Sequence, residues 1–216
     1  MRFYTWRSAD GGRRLQSHNA VARYNRFMKR AIIVHCWGGY SNYCWYQDVK
    51  QRLEKRGFEV TVPAMPDSDA PELSKWLPVL QRVVEEPDRE LYLIGHSLGV
   101  ATILRYLEGL GERERIGGMV SVAGFAENVG FDELNSFFVE PMDLERIKER
   151  AKAVVAIASD NDPYVDLKYS EELRDRLGAK LEIMHDMGHF SAKGRGGEPC
   201  VKLPEVAEAV VELAGE

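Results

Sequence analysis

Six short apolar runs alternate with longer segments of helical periodicity from Ala31 to the end of the chain. The runs are rich in Val and Ile and are bounded by Gly, Pro or Asp, as is typical of buried parallel strands. They cover residues 31–35, 58–62, 91–94, 116–123, 153–158 and 180–184. The amphipathic segments cover residues 45–56, 72–85, 98–109, 166–177 and 203–214. This alternation predicts a single α/β domain over residues 31–216, with an about six-stranded parallel sheet and helices on both faces.

Composition and charge exclude several classes of protein. The longest apolar run has six residues, 153–158, whereas a membrane-spanning helix needs about 20, so we expect no membrane association. Residues 31–216 carry a net charge of −12, which gives no basis for a nucleic-acid partner. Three cysteines are too few and too odd in number for a disulfide framework, which favours a reducing, cytoplasmic location. No glycine-rich phosphate-binding motif follows a strand, and we expect neither a cofactor nor a metal.

The first 30 residues differ from the rest of the chain. They carry seven Arg and one Lys against a single acid, Asp10, and their apolar residues follow no long period. Such basic arms occur in nucleic-acid contacts and in organellar transit peptides. Met28, however, comes just before the first predicted strand, as a natural start would. We therefore interpret residues 1–30 as a flexible basic extension without a function of its own.

A Gly-x-Ser-x-Gly motif, Gly95-His96-Ser97-Leu98-Gly99, lies between the third predicted strand and the helix that follows it. A nucleophilic serine needs such a tight, strained turn so that its hydroxyl projects from the sheet, and the glycines leave room for neighbouring backbone. The backbone N–H of Leu98, at the start of the helix, would then stabilise the oxyanion of a bound ester. The alternative is a structural turn in which Ser97 only caps the helix. The position of the motif favours Ser97 as a nucleophile.

Chain order selects the histidine that would act as a base. In an α/β-hydrolase triad the serine is followed along the chain by an acid and then by a histidine. The two histidines in the part of the chain beyond the motif are His185 and His189. His185 comes directly after the last predicted strand, whereas His189 lies a few residues further on, in a Gly-His-Phe sequence. This favours His189 as the base.

The orienting acid is expected after the preceding strand, in the segment Ser159-Asp160-Asn161-Asp162-Pro163. Asp162 precedes a proline, which restricts its backbone to extended geometry. Asp160 is more typical of a turn, and Asp166 of a helix N-cap. Asp162 is therefore the predicted acid, and its carboxylate would hold the His189 imidazole in the required tautomer.

A second oxyanion donor is expected in the loop after the first strand. The backbone N–H of Cys36 or of Trp37 could serve, and the sequence does not choose between them. The segment from Gly124 to about residue 143, roughly 20 residues after the fourth strand, predicts a small cap. Aromatic side chains of both segments are candidates for the substrate pocket, with ordinary packing as the alternative. They are Trp37, Tyr40, Phe125, Phe137 and Phe138.

Three motifs together point to a known family. Gly-His-Ser-Leu-Gly around Ser97, Ser-x-x-Asp-Pro-Tyr-Val around Asp162 and Gly-His-Phe around His189 resemble the YdeN and retinoblastoma-binding protein 9 group of serine hydrolases, in the α/β-hydrolase superfamily. The resemblance implies a compact hydrolase fold that lacks the superfamily's first two strands. It also implies the nucleophile, acid and base chosen above. One departure is Cys36, where the superfamily often has glycine.

These features predict a cofactor-free serine hydrolase that cleaves a small carboxylic ester or amide through an acyl-serine intermediate. The small cap favours substrates with short acyl groups, because it offers little apolar surface to a long chain. The alternative function is that of a non-catalytic protein-binding module with a vestigial triad.

Overall fold

A computed structural model of the protein describes residues 28–191 and 199–215. The described residues form a six-stranded sheet in which all neighbouring strands are parallel. The strands are β1 Arg30–Val34, β2 Glu59–Thr61, β3 Leu91–His96, β4 Gly118–Val122, β5 Val154–Ser159 and β6 Lys180–Met184. Their order is β2-β1-β3-β4-β5-β6. The predicted parallel sheet is confirmed, while residues 1–27 of the predicted N-terminal extension lie outside the described residues.

Helices connect the strands and cover both faces of the sheet. They are α1 Tyr46–Glu54, α2 Leu73–Val84, α3 Leu98–Glu108, a 3-10 helix Asp132–Phe137, α4 Leu144–Lys148, α5 Leu167–Leu177 and α6 Pro204–Leu213. The five helices predicted from amphipathic periodicity lie within two residues of their predicted ends. In the part of the chain that the structure describes, no helix combines the length and the apolar character needed to cross a lipid bilayer.

Alternation of side chains along the strands separates two hydrophobic layers. Ile32 and Leu93 face the layer that contains α2, α3, α4 and α5, whereas Ile33 and Ile94 face the layer that contains α1 and α6. Neighbouring residues of a strand point to opposite faces, so a fully buried parallel strand is apolar on both. Each such side chain contributes roughly 1.5–3 kcal/mol of burial free energy, and both layers therefore stabilise the sheet.

The parallel arrangement brings the carboxyl ends of the strands to one edge of the sheet. Cys36 follows β1, Ser97 follows β3, Asp162 follows β5 and His189 follows β6. Four residues that are far apart in the chain are thereby carried on loops of the same edge, where α/β proteins bind their ligands.

The segment 124–143, predicted as a cap, includes the 3-10 helix, which packs against α2 and α3. The Leu73 N–H donates to Ser136 Oγ at 3.2 Å, and the Arg105 Nε–H donates to the Phe137 carbonyl at 2.8 Å. These contacts tie the segment to the helices beneath it.

Candidate active site

Ser97 adopts a strained backbone conformation between β3 and α3. Its φ of 53° and ψ of −119° lie outside the regions that residues with a side chain ordinarily occupy. The turn is held because the Ser97 N–H donates to the Val122 carbonyl at 2.8 Å, and the Ser97 carbonyl accepts the Val100 N–H at 2.9 Å. Strain of this kind persists only where the surrounding structure enforces it, and it commonly marks a functional position.

The two glycines of the motif are required by close backbone contacts. A Cβ added at Gly95 would lie 2.7 Å from the Val100 Cα, and one added at Gly99 would lie 2.2 Å from the Val34 carbonyl oxygen. Both distances are far shorter than van der Waals contact. The spacing of the motif is therefore set by how closely α3 approaches β1 and β3.

Asp162 and His189 form a buried carboxylate–imidazole pair. His189 Nδ1 lies 2.7 Å from Asp162 Oδ2, and the two side chains are 11% and 2% exposed. The other carboxylate oxygen, Oδ1, accepts the backbone N–H groups of Tyr164 at 2.9 Å and Val165 at 3.1 Å. Because the ionised carboxylate can only accept, the imidazole Nδ1 carries the proton. In the neutral ring Nε2 is then left as a hydrogen-bond acceptor.

Asp160 and His185 form a second, exposed pair beside the first. His185 Nδ1 lies 2.6 Å from Asp160 Oδ2, and His185 Nε2 lies 3.1 Å from Asp186 Oδ2. The hydrogen bond from His185 lowers the pKa of Asp160, and the same bond raises the pKa of His185. One potential metal-ligating atom from each of these three side chains lies within 4.8 Å of the other two, close enough for all three to bind one cation. Their mutual ion pairs already account for the cluster.

The predicted oxyanion loop after β1, residues 35–39, contains both backbone donors between which the sequence does not choose. The Cys36 N–H donates to the Tyr46 hydroxyl at 3.1 Å and is therefore already engaged. Among the described residues, neither the Trp37 N–H nor the Leu98 N–H donates a hydrogen bond. This contact favours Trp37 over Cys36 as the second donor. Burial also raises the pKa of the Cys36 thiol to about 11, which keeps it neutral and a poor nucleophile.

A cavity of about 360 Å³ opens beside Ser97 and His189. It is mainly lined by aromatic and aliphatic side chains, with few polar groups. Its wall is formed by Cys36, Trp37, Tyr43, Ser97, Leu98, Phe125, Val129, Phe131, Leu134, Tyr164, Val165, His189 and Ser191. The site therefore combines a strained serine, a buried imidazole and an apolar volume of small-molecule size.

Three of the five predicted pocket residues do not line this cavity. Trp37 and Phe125 do line it, whereas Tyr40 is 57% exposed and its ring is tilted against the Tyr43 ring. Phe137 is fully buried against Trp76, in the core beneath the 3-10 helix. Phe138 lies behind Phe125, with the ring centroids 5.8 Å apart. Aromatic character alone did not separate wall residues from core residues.

Residues that the sequence analysis missed complete the wall. Phe131 and Leu134 come from the start of the 3-10 helix, three residues apart, which is the repeat that places side chains on one face of such a helix. This three-residue spacing is the sequence signal that could have identified both residues as parts of the wall. Tyr164 follows Asp162 and Pro163 on the same loop, and its ring packs edge-on to the His189 ring at 5.2 Å.

Comparison with known proteins places these features in a family context. Residues 31–200 match the family model described as serine hydrolase. The chain is 33% identical to YdeN of Bacillus subtilis (strain 168) over 163 residues, which span 75% of this chain and 86% of YdeN. It is 30% identical to the serine hydrolase RBBP9 of Rattus norvegicus over 166 residues, which span 74% of this chain and 87% of RBBP9.

Solved structures give the same result for the fold. The crystal structure of the Bacillus subtilis ydeN gene product superposes with a TM-score of 0.81 at 30% identity, covering 88% of this chain and 100% of that one. Est1E from Butyrivibrio proteoclasticus superposes with a TM-score of 0.65 at 16% identity, covering 88% and 89% of the two chains. At that identity Est1E is informative about the fold alone. The resemblance indicated by the three sequence motifs is confirmed.

Proposed function

The chain belongs to the serine hydrolase family, and we propose that it cleaves a small carboxylic ester or amide through an acyl-serine intermediate. In this proposal Ser97 is the nucleophile, His189 the general base and Asp162 the residue that orients the base. The observation that carries the proposal is the buried Asp162–His189 pair, whose imidazole lines the same cavity as the strained Ser97. Nucleophile, base and orienting acid are the three parts that such chemistry requires.

The proposed reaction begins when Ser97 Oγ attacks the substrate carbonyl carbon and its proton passes to His189 Nε2. The Trp37 and Leu98 N–H groups donate to the developing oxyanion, and Asp162 stabilises the charged imidazolium. His189 then gives the proton to the departing alcohol or amine as the carbon–oxygen or carbon–nitrogen bond breaks. Water, activated by the same histidine, hydrolyses the acyl-serine and releases the carboxylic acid.

Substrate size follows from the volume of the cavity and the shape of the cap. About 360 Å³ is near the lower end of ligand pockets, which span roughly 300–1,000 Å³. In our proposal the segment 124–143 is a small cap, and Phe131 and Leu134 close the wall that a long acyl chain would need to pass. Each further methylene must be buried to add about 0.8 kcal/mol of binding free energy. We therefore propose acyl groups of about two to six carbons.

A fluorophosphonate probe tests the nucleophile directly. We expect covalent labelling of the wild-type protein at one serine, identified as Ser97 by peptide mass spectrometry, and no labelling of Ser97→Ala. His185→Ala is a matched control that should label normally, because the exposed His185 does not line the cavity. A wild-type protein that is folded but takes no probe would favour the protein-binding module over the enzyme.

A chain-length series of aryl esters tests the proposed substrate size. We expect kcat/KM to peak at about two to six acyl carbons without a lipid interface. Phe131→Ala should move the peak toward longer chains, because Phe131 lines the cavity, whereas Phe138→Ala should leave the peak unchanged, because Phe138 does not. A wild-type peak at long chains, or activation by micelles, would contradict the proposal.

A further inference from the structure

A chain of buried hydrogen bonds connects the oxyanion loop to the loop that carries His189. The Cys36 N–H donates to the Tyr46 hydroxyl at 3.1 Å, and Tyr46 Oη lies 2.8 Å from His96 Nδ1. His96 Nε2 lies 2.8 Å from the His189 carbonyl oxygen. Tyr46 and His96 are fully buried, and neither lines the cavity beside Ser97. The chemistry described above makes no use of them.

The direction of each hydrogen bond follows from the groups involved. The His189 carbonyl can only accept, so His96 Nε2 carries a proton. Burial, together with the nearby His189, lowers the pKa of His96 to about 3, so the ring is neutral and its Nδ1 has no proton. Nδ1 therefore accepts the Tyr46 O–H, and the Tyr46 oxygen in turn accepts the Cys36 N–H. Burial raises the pKa of Tyr46, which keeps this hydroxyl protonated and able to donate.

At the oxyanion loop these bonds fix the orientation of a peptide group. The Cys36 carbonyl accepts the Gly39 N–H at 3.0 Å and lies 2.8 Å from His35 Nδ1. In a trans peptide the C=O and the following N–H point in opposite directions, so fixing the Cys36 carbonyl also fixes the Trp37 N–H. Tyr46 holds Cys36 from its other side, through the Cys36 N–H. The Trp37 N–H is thereby left as the free donor of this loop.

The loop after β6 that carries His189, here called the base loop, contains a strained residue. Phe190, directly after His189, has a φ of 52°, which is unfavourable for a bulky side chain. His96 donates to the His189 carbonyl, and Trp45 Nε1–H donates to the Phe190 carbonyl at 3.1 Å. Trp45 and Tyr46 are adjacent residues at the start of α1. The start of α1 thus supports two successive peptide groups of the base loop, one through His96 and one directly.

We propose that the Tyr46 hydroxyl is a positioning group which, through His96, holds the Trp37 N–H and the His189 imidazole in the relative arrangement that the reaction needs. This inference rests on the proposed function, since it assigns a role in the same reaction. Removing the hydroxyl takes away the hydrogen-bond partner that the Cys36 N–H and His96 Nδ1 share among the described residues. Unpaired buried groups are costly, so both loops would move to find new partners.

Tyr46→Phe tests the proposal because it removes the hydroxyl and leaves the ring. Rates are measured on an aryl ester and normalised to the sites titrated by the fluorophosphonate probe, so that unfolded protein does not count. We expect kcat to fall by about 10- to 100-fold and KM to change by less than about threefold, since the groups that move stabilise the transition state. Tyr106→Phe is the matched control, because it removes the hydroxyl of a buried tyrosine of α3, away from both loops, and should keep kcat within about twofold.

Two substitutions of His96 test its two hydrogen bonds separately. They also allow the proposal to be tested if Tyr46→Phe does not fold. His96→Asn retains an acceptor near the Nδ1 position, whereas His96→Gln retains a donor near the Nε2 position. We expect each to lower kcat, and Tyr46→Phe combined with His96→Gln to lose no more than about threefold beyond the worse single variant, because both remove the same contact.

The outcomes separate this inference from the proposed function. Normal kcat per titrated site in Tyr46→Phe, or losses that multiply in the double variant, would overturn the positioning role while the enzyme itself remains. Failure of all three single variants to fold would show that the network serves stability alone, which also overturns it. A wild-type protein that neither takes the probe nor cleaves esters would remove the proposed function, and this inference with it.

Discussion

Asp162–His189 and Asp160–His185 are two carboxylate–imidazole pairs built from the same two loops, those that follow β5 and β6. Both use the imidazole Nδ1, at 2.7 Å in the first pair and 2.6 Å in the second. In the first pair the carboxylate and the imidazole are 2% and 11% exposed, whereas in the second they are 38% and 82% exposed. The first imidazole lines the cavity beside Ser97, and the second lies at the surface.

The comparison teaches that a short Asp–His contact is not by itself a mark of catalysis. Water screens the exposed pair, so its ion pair contributes little and its geometry is only weakly enforced. In the buried pair the interaction is stronger, and the carboxylate is also held by two backbone N–H groups. What distinguishes the candidate base is therefore its burial, its fixed orientation and its neighbouring serine.

The two pairs are also joined, through Asn161. Its Nδ2 donates to Asp186 Oδ1 at 2.9 Å, beside the exposed pair, and its Oδ1 accepts the Gly188 N–H at 2.8 Å, one residue before His189. Loss of the exposed pair can thus disturb the base loop slightly. We therefore expect substitutions in the exposed pair to have small effects on the reaction rate.

Replacing each histidine by alanine should give the largest difference between the pairs. We expect His189→Ala to lower kcat/KM by at least about 10³-fold, because activation of the nucleophile is lost. His185→Ala should stay within about tenfold of the wild type, since His185 is exposed and does not line the cavity. Steady-state kinetics on one aryl ester measures both. Equal losses, or the reverse order, would refute the assignment of the base.

Replacing each carboxylate by its amide should sharpen the comparison. In Asp162→Asn the amide oxygen can still accept the Tyr164 and Val165 N–H groups, which leaves the amide NH₂ facing His189 Nδ1. The ring is then driven into the wrong tautomer, and we expect kcat to fall by about 10²- to 10³-fold with the fold intact. Asp160→Asn should change kcat by less than about threefold. Similar losses in the two variants would mean that burial does not separate the roles of the pairs.

Much of the fold followed from local sequence signals. The six apolar runs and five amphipathic segments predicted the sheet and its main helices, because burial on two faces and the periodicity of 3.6 residues are properties of contiguous residues. The motif around Ser97 predicted a turn that only glycine permits at Gly95 and Gly99. The order of residues along the chain reduced five histidines to two, His185 and His189.

The wall of the cavity could not be predicted in the same way. Phe137 and Phe131 belong to one short segment, yet Phe137 enters the core against Trp76 while Phe131 faces the cavity. Which side chain enters the core depends on how the segment 124–143 packs on α2 and α3, and that packing is a tertiary contact. The choice between Cys36 and Trp37 likewise depends on Tyr46, a contact ten residues along the chain that no local pattern encodes.

The smallest expected effect is a pH-dependent contribution of the exposed pair to stability. The hydrogen bond with Asp160 raises the pKa of His185 above 6.5, so its contribution is present below that pH and is lost as the pH rises through the raised value. The pKa of Asp160 is lowered below 3.8, so the contribution of that group is present above 3.8 and is lost as the pH falls through the lowered value. The stabilising contribution of the pair is therefore fully present between pH 3.8 and pH 6.5.

We expect His185→Ala to lower Tm by about 1–3 °C at pH 5 and by much less at pH 8.5. Asp160→Asn should show the same pH dependence, and 0.5 M salt should reduce both differences because it screens exposed charges. A Tm difference of the same size at pH 5 and pH 8.5, unaffected by salt, would show that the two side chains stabilise the loop by packing and not by charge.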